Sequence, residues 1–572
     1  MIKLRRYLKG YVRYFVLGPI FKLLEAVFEL IVPLVMAKII DVGIKNGDTD
    51  YILKMSGIIV ILGICGLAFG LTCQYFAAKC GCGFGTALRK SLYEHINSLS
   101  HAEIDKIGTS KLITILTNDT SMAQQGVNWF IRLASRAPLL VIGATVMAMS
   151  LDLKLSVIFL IAAPLIAFII YLVMSKSIPK YKENQHRLDR ISLLTGENLE
   201  GARVIRAFSR QDEEKREFSE AAEEFSNNAI AISRISTILN PITFMIMNLA
   251  IVAIIWFGGM RVDNGILTQG EITAFVNYMS QILLALIALA HFVVLFNKSI
   301  ASARRVNELF EIEPSLTDGE GTEPDYGMAA ISFENVGFSY SKTGEPALEK
   351  ISFEIGKGKT LGIIGGTGSG KSTIISLIPR FYEASDGCVR IFGKPVSEYK
   401  LDMLRGMIAL VPQRAMLFSG TILENMRWGK ADADENEVIE ALKTAQAWEF
   451  VSKFPDGINT MIEQSGRNLS GGQRQRLTIA RALVRKPEIL ILDDSMSALD
   501  YATDLAVRRA LEEKMKDTTL IIVSQRATSL RNADKIIVMD DGNIRGIGTH
   551  DELAESCEVY REIIETQSEG NA

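Results

Sequence analysis

The sequence predicts an all-α membrane domain of six helices followed by an α/β domain built around a phosphate-binding loop. Three observations predict it. At 572 residues the chain is too long for one ordinary core. Its hydrophobic residues, 48% of the total with a mean hydropathy of +0.20, gather before about residue 300 in long runs with little charge. Farther on, a buried-type strand, Leu361–Gly365, runs into a glycine-rich loop with G-x-x-x-x-G-K-S spacing.

Stretches long enough to cross a bilayer of roughly 30 Å occur six times, with cores at Val12–Ile40, Ile52–Ala78, Trp129–Ser150, Leu153–Met174, Ile238–Gly258 and Ile272–Phe296. The first follows Lys3, Arg5, Arg6 and Lys9, exceeds a signal-peptide core and lacks a small-residue cleavage site, so it reads as a retained helix. Between the second and third spans, and between the fourth and fifth, the chain carries Arg89, Lys90, Lys106, Lys182, Arg187, Arg203, Arg206 and Arg210. The opposite loop Asp41–Asp50 holds more acid than base. The positive-inside bias then places both termini in the cytoplasm of a multi-pass cell-membrane protein.

Both basic stretches keep helical periodicity, as helix pairs running about 20 residues, ~30 Å, past the bilayer would. Their turns are expected at Gly108–Gln124 and Ala207–Phe218, either as solvated charged faces or as contacts to another domain. Glu311–Gly327 loses periodicity and gains Pro, Gly and acid, which is linker chemistry. The expected division is 1–310 for the membrane domain, 311–330 for the linker and 331–572 for the α/β domain, which opens on the alternating run Ile331–Tyr340.

A net charge of −3 argues against a nucleic-acid partner and leaves membrane lipid as the expected surroundings. Six cysteines include Cys80 and Cys82, whose spacing is not that of a zinc site, so they read as packing thiols.

The chemistry collects in the second domain. Gly365, Gly366, Thr367, Gly368, Ser369, Gly370, Lys371, Ser372 and Thr373 form a complete phosphate loop, whose glycines let backbone N–H groups wrap a phosphate. Lys371 is expected to reach the β/γ-phosphates and Ser372 to hold Mg2+. Asp493 ends the apolar run Ile489–Leu492, the place from which a central strand delivers a carboxylate to that ion. Between them, Ser470, Gly471, Gly472 and Gln473 open a helix whose hydroxyl, backbone donors and dipole suit a phosphate.

Leu469–Gln473, together with the phosphate loop and the Asp493 strand, resembles the signature sequence of ABC ATPases. Six long helices ahead of a C-terminal ATPase extend the resemblance over nearly the whole chain, to MsbA-like and multidrug-type ABC exporters of the type IV fold. It implies ATP and Mg2+ as ligands, export of a substrate the sequence does not name, and a second half-exporter subunit. In such a pair the signature Ser470–Gln473 contacts ATP on the opposing subunit, and the two turns become coupling helices. Carried over singly, Tyr340 corresponds to the aromatic that stacks on adenine, its alternative being a strand-end core tyrosine. Gln413 corresponds to the glutamine linking the Mg2+ site to the membrane domain, and Ser497–Asp500 to the turn facing the opposite site.

Three positions depart from the family pattern. Asp494 stands where a glutamate normally orients or deprotonates the attacking water, and its side chain is shorter by roughly 1.5 Å. Gln525 stands where a histidine usually contacts the γ-phosphate, and it carries no imidazolium charge. Glu463–Gly466 reads Glu-Gln-Ser-Gly where Gly-Glu-Arg-Gly is common. Nucleotide-binding residues are spared while hydrolytic positions change, which resembles the degenerate-site subunit of heterodimeric bacterial exporters: slow at its own site, active in trans through its signature. A homodimer, and an ATP-binding regulatory or channel-like subunit, are the alternatives. In the membrane, Lys22, Glu25 and Glu29 share one face of the first helix, either lining a translocation cavity or forming an intrahelical Lys–Glu pair.

Overall fold

A computed structural model describes residues 2–341 and 344–569. The chain divides into two compact units, Met1–Asn97 with Thr109–Ile312, and Ser98–Gly108 with Glu313–Ala572.

The first unit is built from helices. Among the described residues five stretches are long and apolar enough to cross a membrane: Thr49–Ser98, Thr109–Leu151, Val157–Glu200, Gln211–Asp263 and Gln269–Phe310. The first expected span is also a helix, Val12–Lys38. Lys22, Glu25 and Glu29 in its middle leave it no comparably uncharged stretch, so it falls outside that set. The helices meet over Ala26, Ala144, Ala163, Ala274 and Phe275, whose small members permit close approach, and Tyr278 donates from its hydroxyl to the Leu30 carbonyl at 2.8 Å. A Cβ on Gly270 would lie 2.3 Å from the Ala37 carbonyl; its amide donates to Asp41 at 2.8 Å, joining the end of the first helix to the start of the last. Leu67, Ile161, Phe168, Leu249 and Trp256 face outward, the pattern of a lipid-facing surface.

The first long loop turns earlier than the sequence suggests. Ser100 and Glu103 form a capping box that starts a short helix, His101–Ile107, and Gly108, at φ 84°, ends it. Thr109–Gln124, expected to be the turn, is already returning helix with one π-helical bulge at Ile115–Asp119. The second loop turns through a short helix, Ala202–Ala207, with Ser209 left-handed at φ 52°. From Gln211 the chain is helical again, so only the start of the expected Ala207–Phe218 segment is turn.

The second unit holds two main sheets. The antiparallel one runs in the order Leu348–Ile355, Ile331–Phe338, Asp386–Ile391, Lys394–Pro395. The other runs Asn543–Gly548, Lys535–Asp540, Thr360–Gly365, Thr519–Val523, Ile489–Asp493, Ile408–Val411, parallel except for the first strand. Ile363, Ile491, Ile521 and Ile537 are fully buried, as β-branched residues of a parallel sheet covered on both faces should be. In-register pairing of Val523 with Ile363 and with Asp493 brings the carboxyl ends of the three central strands to one edge, where doubly wound sheets place their ligands. Ahead of this domain, residues 313–330 form no helix or strand; the amides of Gly319, Gly321 and Asp325 each donate at 3.1 Å to the carbonyls of Tyr399, Glu398 and Phe392.

Candidate nucleotide site

The buried strand Thr360–Gly365 ends in a tight turn that only glycine accommodates cheaply: Gly368 and Gly370 adopt φ of 84° and 97°. A Cβ on Gly366 or Gly368 would meet nothing within 4 Å, so the loop faces open space at both positions. Lys371, 9% exposed, folds its ammonium back onto the loop, donating to the carbonyls of Gly365 at 3.0 Å and Gly366 at 2.5 Å and to Ser369 Oγ at 3.2 Å. Burial pushes the Lys371 ammonium below its ordinary pKa, although Asp493 and Asp494 pull it upward.

Asp493 leaves the end of its strand into the same region. Burial, then the neighbouring Asp494, pushes its carboxyl up to about 6. Asp494 is left-handed at φ 43°, its amide donates to the Val523 carbonyl at 2.9 Å, and burial raises its carboxyl too. Gln413, just past the strand Ile408–Val411, donates to the Asp494 carboxylate at 3.3 Å. Tyr340 is not a core residue. It is 59% exposed, stands edge-on to Phe338 and Tyr382 with ring centroids 4.8 and 5.4 Å away, and its hydroxyl lies 3.1 Å from Thr373 Oγ1.

Residues present fit a phosphate-bound magnesium. No cluster of three or more His, Cys, Asp or Glu suited to a metal occurs among the described residues. Ser372, Gln413 and Asp493 supply a hydroxyl, an amide oxygen and one carboxylate, the sparse oxygen set that Mg2+ takes when substrate phosphates and water complete its shell.

The signature residues stand apart. Ser470 caps the helix Gly471–Val484 through a reciprocal pair: its Oγ accepts from the Gln473 amide at 3.3 Å, and its own amide donates to Gln473 Oε1 at 2.9 Å. Among the described residues no hydrogen bond joins Ser470, Gly471, Gly472 or Gln473 to the phosphate loop. A Cβ on Gly471 would meet nothing within 4 Å, leaving this helix start open to a ligand from outside. In the segment preceding it, Ser465 is left-handed at φ 59°, and Arg474 donates to the carbonyls of Gly466 and Leu469 at 3.3 and 2.7 Å. In the turn Ser497–Asp500, Asp500 caps the helix Tyr501–Lys514 by accepting from the Thr503 amide at 3.0 Å.

Two features escaped the sequence reading. Gln567, in the helix Glu558–Glu569, donates to the Gln525 carbonyl at 2.7 Å and accepts from the Ala527 amide at 2.9 Å, clasping the loop that carries Gln525. No motif marks it. In the short helix of the first long loop, His101 stacks on Phe381 with centroids 4.3 Å apart, and Tyr382 donates to Asp105. Burial lowers the His101 pKa and raises that of Tyr382. The i,i+4 spacing of His101 and Asp105 was the available signal.

Residues 15–286 match the ABC transporter transmembrane region, and residues 348–497 match the ABC transporter family. Over 572 residues the chain is 35% identical to an uncharacterized ABC transporter ATP-binding protein of Mycobacterium tuberculosis, covering 99% of this chain and 98% of that protein. It is 31% identical over 565 residues to the ATP-dependent lipid A-core flippase of Chromobacterium violaceum, covering 98% and 96%. The chain belongs to the ABC transporter family. The transporter's fold also matches a bacterial Atm1-family ABC exporter with ATP bound, at a TM-score of 0.79 and 22% identity over 99% and 98% of the two chains. As a member, it is a multi-span membrane protein with an ATP-binding ATPase domain, and ABC exporters function as dimers.

Proposed function

We propose that this exporter is the degenerate-site half of a heterodimer that moves a substrate outward across the cell membrane. The observation that carries the reading is the selectivity of its departures: Asp494 and Gln525 replace residues of the hydrolytic step, while Lys371, Asp493 and the Ser470–Gln473 cap keep theirs. Bound Mg2+ would neutralise phosphate charge at Ser372, Gln413 and Asp493. Around it the loop amides from Gly366 to Thr373 and the Lys371 ammonium hold the phosphates, and Tyr340 offers its exposed ring to the base. Asp494, one methylene short and held by Gln413, is poorly placed to activate water, so the chain's own site turns over slowly. Its signature completes the partner's fast site.

The second long loop supports a partner. Leu199, Val204 and Phe208 are 74, 59 and 74% exposed, beside a hollow of about 380 Å³ lined by Leu194, Asn198, Ile205 and Phe218. An apolar turn this open suits cover by another subunit's nucleotide domain. On this reading residues 1–310 form the transmembrane domain, 311–330 the linker and 331–572 the nucleotide-binding domain, with both termini cytoplasmic.

The test is turnover in a co-expressed pair whose partner carries the glutamate and histidine. Ser470→Arg should cripple ATPase activity, while Asp494→Asn should leave most of it. Brisk ATPase from the chain alone, or loss of turnover in the Asp494→Asn pair, overturns the heterodimer reading.

A further inference from the structure

The strand Thr519–Val523 lies between the strands that end at Gly365 and at Asp493, and the chain leaves it at the same edge of the sheet. Its exit is fixed on both sides. The Asp494 amide donates to the Val523 carbonyl at 2.9 Å, and the Ser524 amide donates to the Ile363 carbonyl at 3.1 Å. The loop that follows presents Gln525 and Arg526, both exposed, between the phosphate loop and the Asp493–Asp494 pair.

Arg526 has a fixed backbone and a free side chain. Its amide donates to Ser524 Oγ at 3.0 Å. Gln567 donates to the Gln525 carbonyl at 2.7 Å and accepts from the Ala527 amide at 2.9 Å, so one side chain grips the residues before and after Arg526. Among the described residues no hydrogen bond or ion pair engages the Arg526 guanidinium, yet it lies near enough to the Asp494 carboxyl to favour its ionised form. Lys371 is the other cation that acts on Asp494. Its donors are spent on its own loop, at the carbonyls of Gly365 and Gly366 and at Ser369 Oγ. Those of Arg526 are not.

A nucleoside triphosphate differs from a diphosphate by one terminal phosphoryl group and its added negative charge, so a residue that tells them apart must bring a cation to that end. At position 525 an uncharged carboxamide stands where the family places an imidazole. A guanidinium suits the task, being planar, permanently charged and able to donate in a fork to two phosphate oxygens. We infer that Arg526 is the residue by which this chain's own site distinguishes a nucleoside triphosphate from a diphosphate, its guanidinium taking the terminal phosphate in place of the missing histidine. Gln567 positions it by bracing the backbone on either side. A guanidinium holds that phosphate without exchanging protons near neutral pH, so a site that turns over slowly also stays filled. The inference rests on the proposed nucleotide site at Lys371 and Asp493.

The test is equilibrium binding of two labelled probes with Mg2+, the non-hydrolysable ATP analogue adenylyl imidodiphosphate and ADP, to the full-length chain in nanodiscs. The unaltered chain should favour the triphosphate analogue. Arg526→Gln should weaken the analogue about tenfold or more while ADP affinity moves by less than about twofold, the loss expected of one charge-assisted contact to the terminal phosphate. Arg526→Lys should keep part of the preference, and adding Gln525→His to Arg526→Gln should restore part of it. A merely structural role would weaken both probes alike. Equal losses for the two, or no change in either, overturn the inference. So does an unaltered chain with no preference, an outcome that needs no variant to fold. Lys371→Ala measured with labelled ADP reports separately on the nucleotide site: if ADP binding falls there, a failed Arg526 leaves that site standing, and if it holds, the site assignment fails as well.

Discussion

The carboxamide of Gln413 donates to the carboxylate of Asp494 at 3.3 Å, tying the position expected to reach the metal to the one expected to face water. Lengthening that acid should restore what the shorter chain lacks. Asp494→Glu combined with Gln525→His is expected to raise turnover at this chain's own site by about 10²-fold or more, within the range general-base catalysis supplies. Steady-state ATPase of the pair, with the partner's site silenced, measures it. No gain would mean the slow site is limited elsewhere.

Lys371→Ala removes the cation and its three bonds to Gly365, Gly366 and Ser369. Labelled-ATP binding at this chain's site should fall about tenfold or more, as for a lost charge-assisted contact. Equal affinity would contradict the assignment of the loop.

Asp493 sets a pH dependence. Its carboxyl sits at about 6 rather than 3.8, so the native protein holds that proton more tightly than the unfolded chain does. The ligand-free fold therefore loses stability from this group as pH rises from about 4 through 6. Mg2+ requires the ionised form, so Mg2+-dependent nucleotide affinity should climb between about pH 5 and 7 and level off above. Asp493→Asn should abolish the slope. Titrations of Mg2+-nucleotide binding at several pH values read it directly.

Gln567→Ala should loosen the Gln525 loop while leaving the sheet intact. Hydrogen exchange at the Ala527 amide, which Gln567 now accepts from, should accelerate by about tenfold, and the protection of Val523 should hold. If Ala527 exchange is unaltered, the clasp has no role in ordering the loop.

Much of the site could be read from the chain because its parts are local in sequence. A phosphate loop is one strand, one turn and one helix, and Ser470 with Gln473 is a self-contained cap; spacing alone identifies both. Turn positions were harder. The first loop reverses at Ser98–Gly108 because of one capping box and one left-handed glycine, while hydrophobic periodicity runs on unchanged through Thr109–Gln124. The first span was legible as a helix, yet the partners of its charges were not, since Glu29 meets Arg136 only after folding. Gln567 was invisible for the same reason: its contact joins the helix Glu558–Glu569 to a loop some forty positions earlier (|i−j| 42 and 40), and no pattern encodes such a meeting.

That clasp carries a practical lesson for anyone engineering this molecule. A purification tag or fluorescent fusion appended after the final helix would hang within a few residues of the side chain that steadies the Gln525 loop. An altered ATPase rate in such a fusion would then report on the handle rather than on the enzyme, and the same label moved to the amino end would be the control that tells them apart.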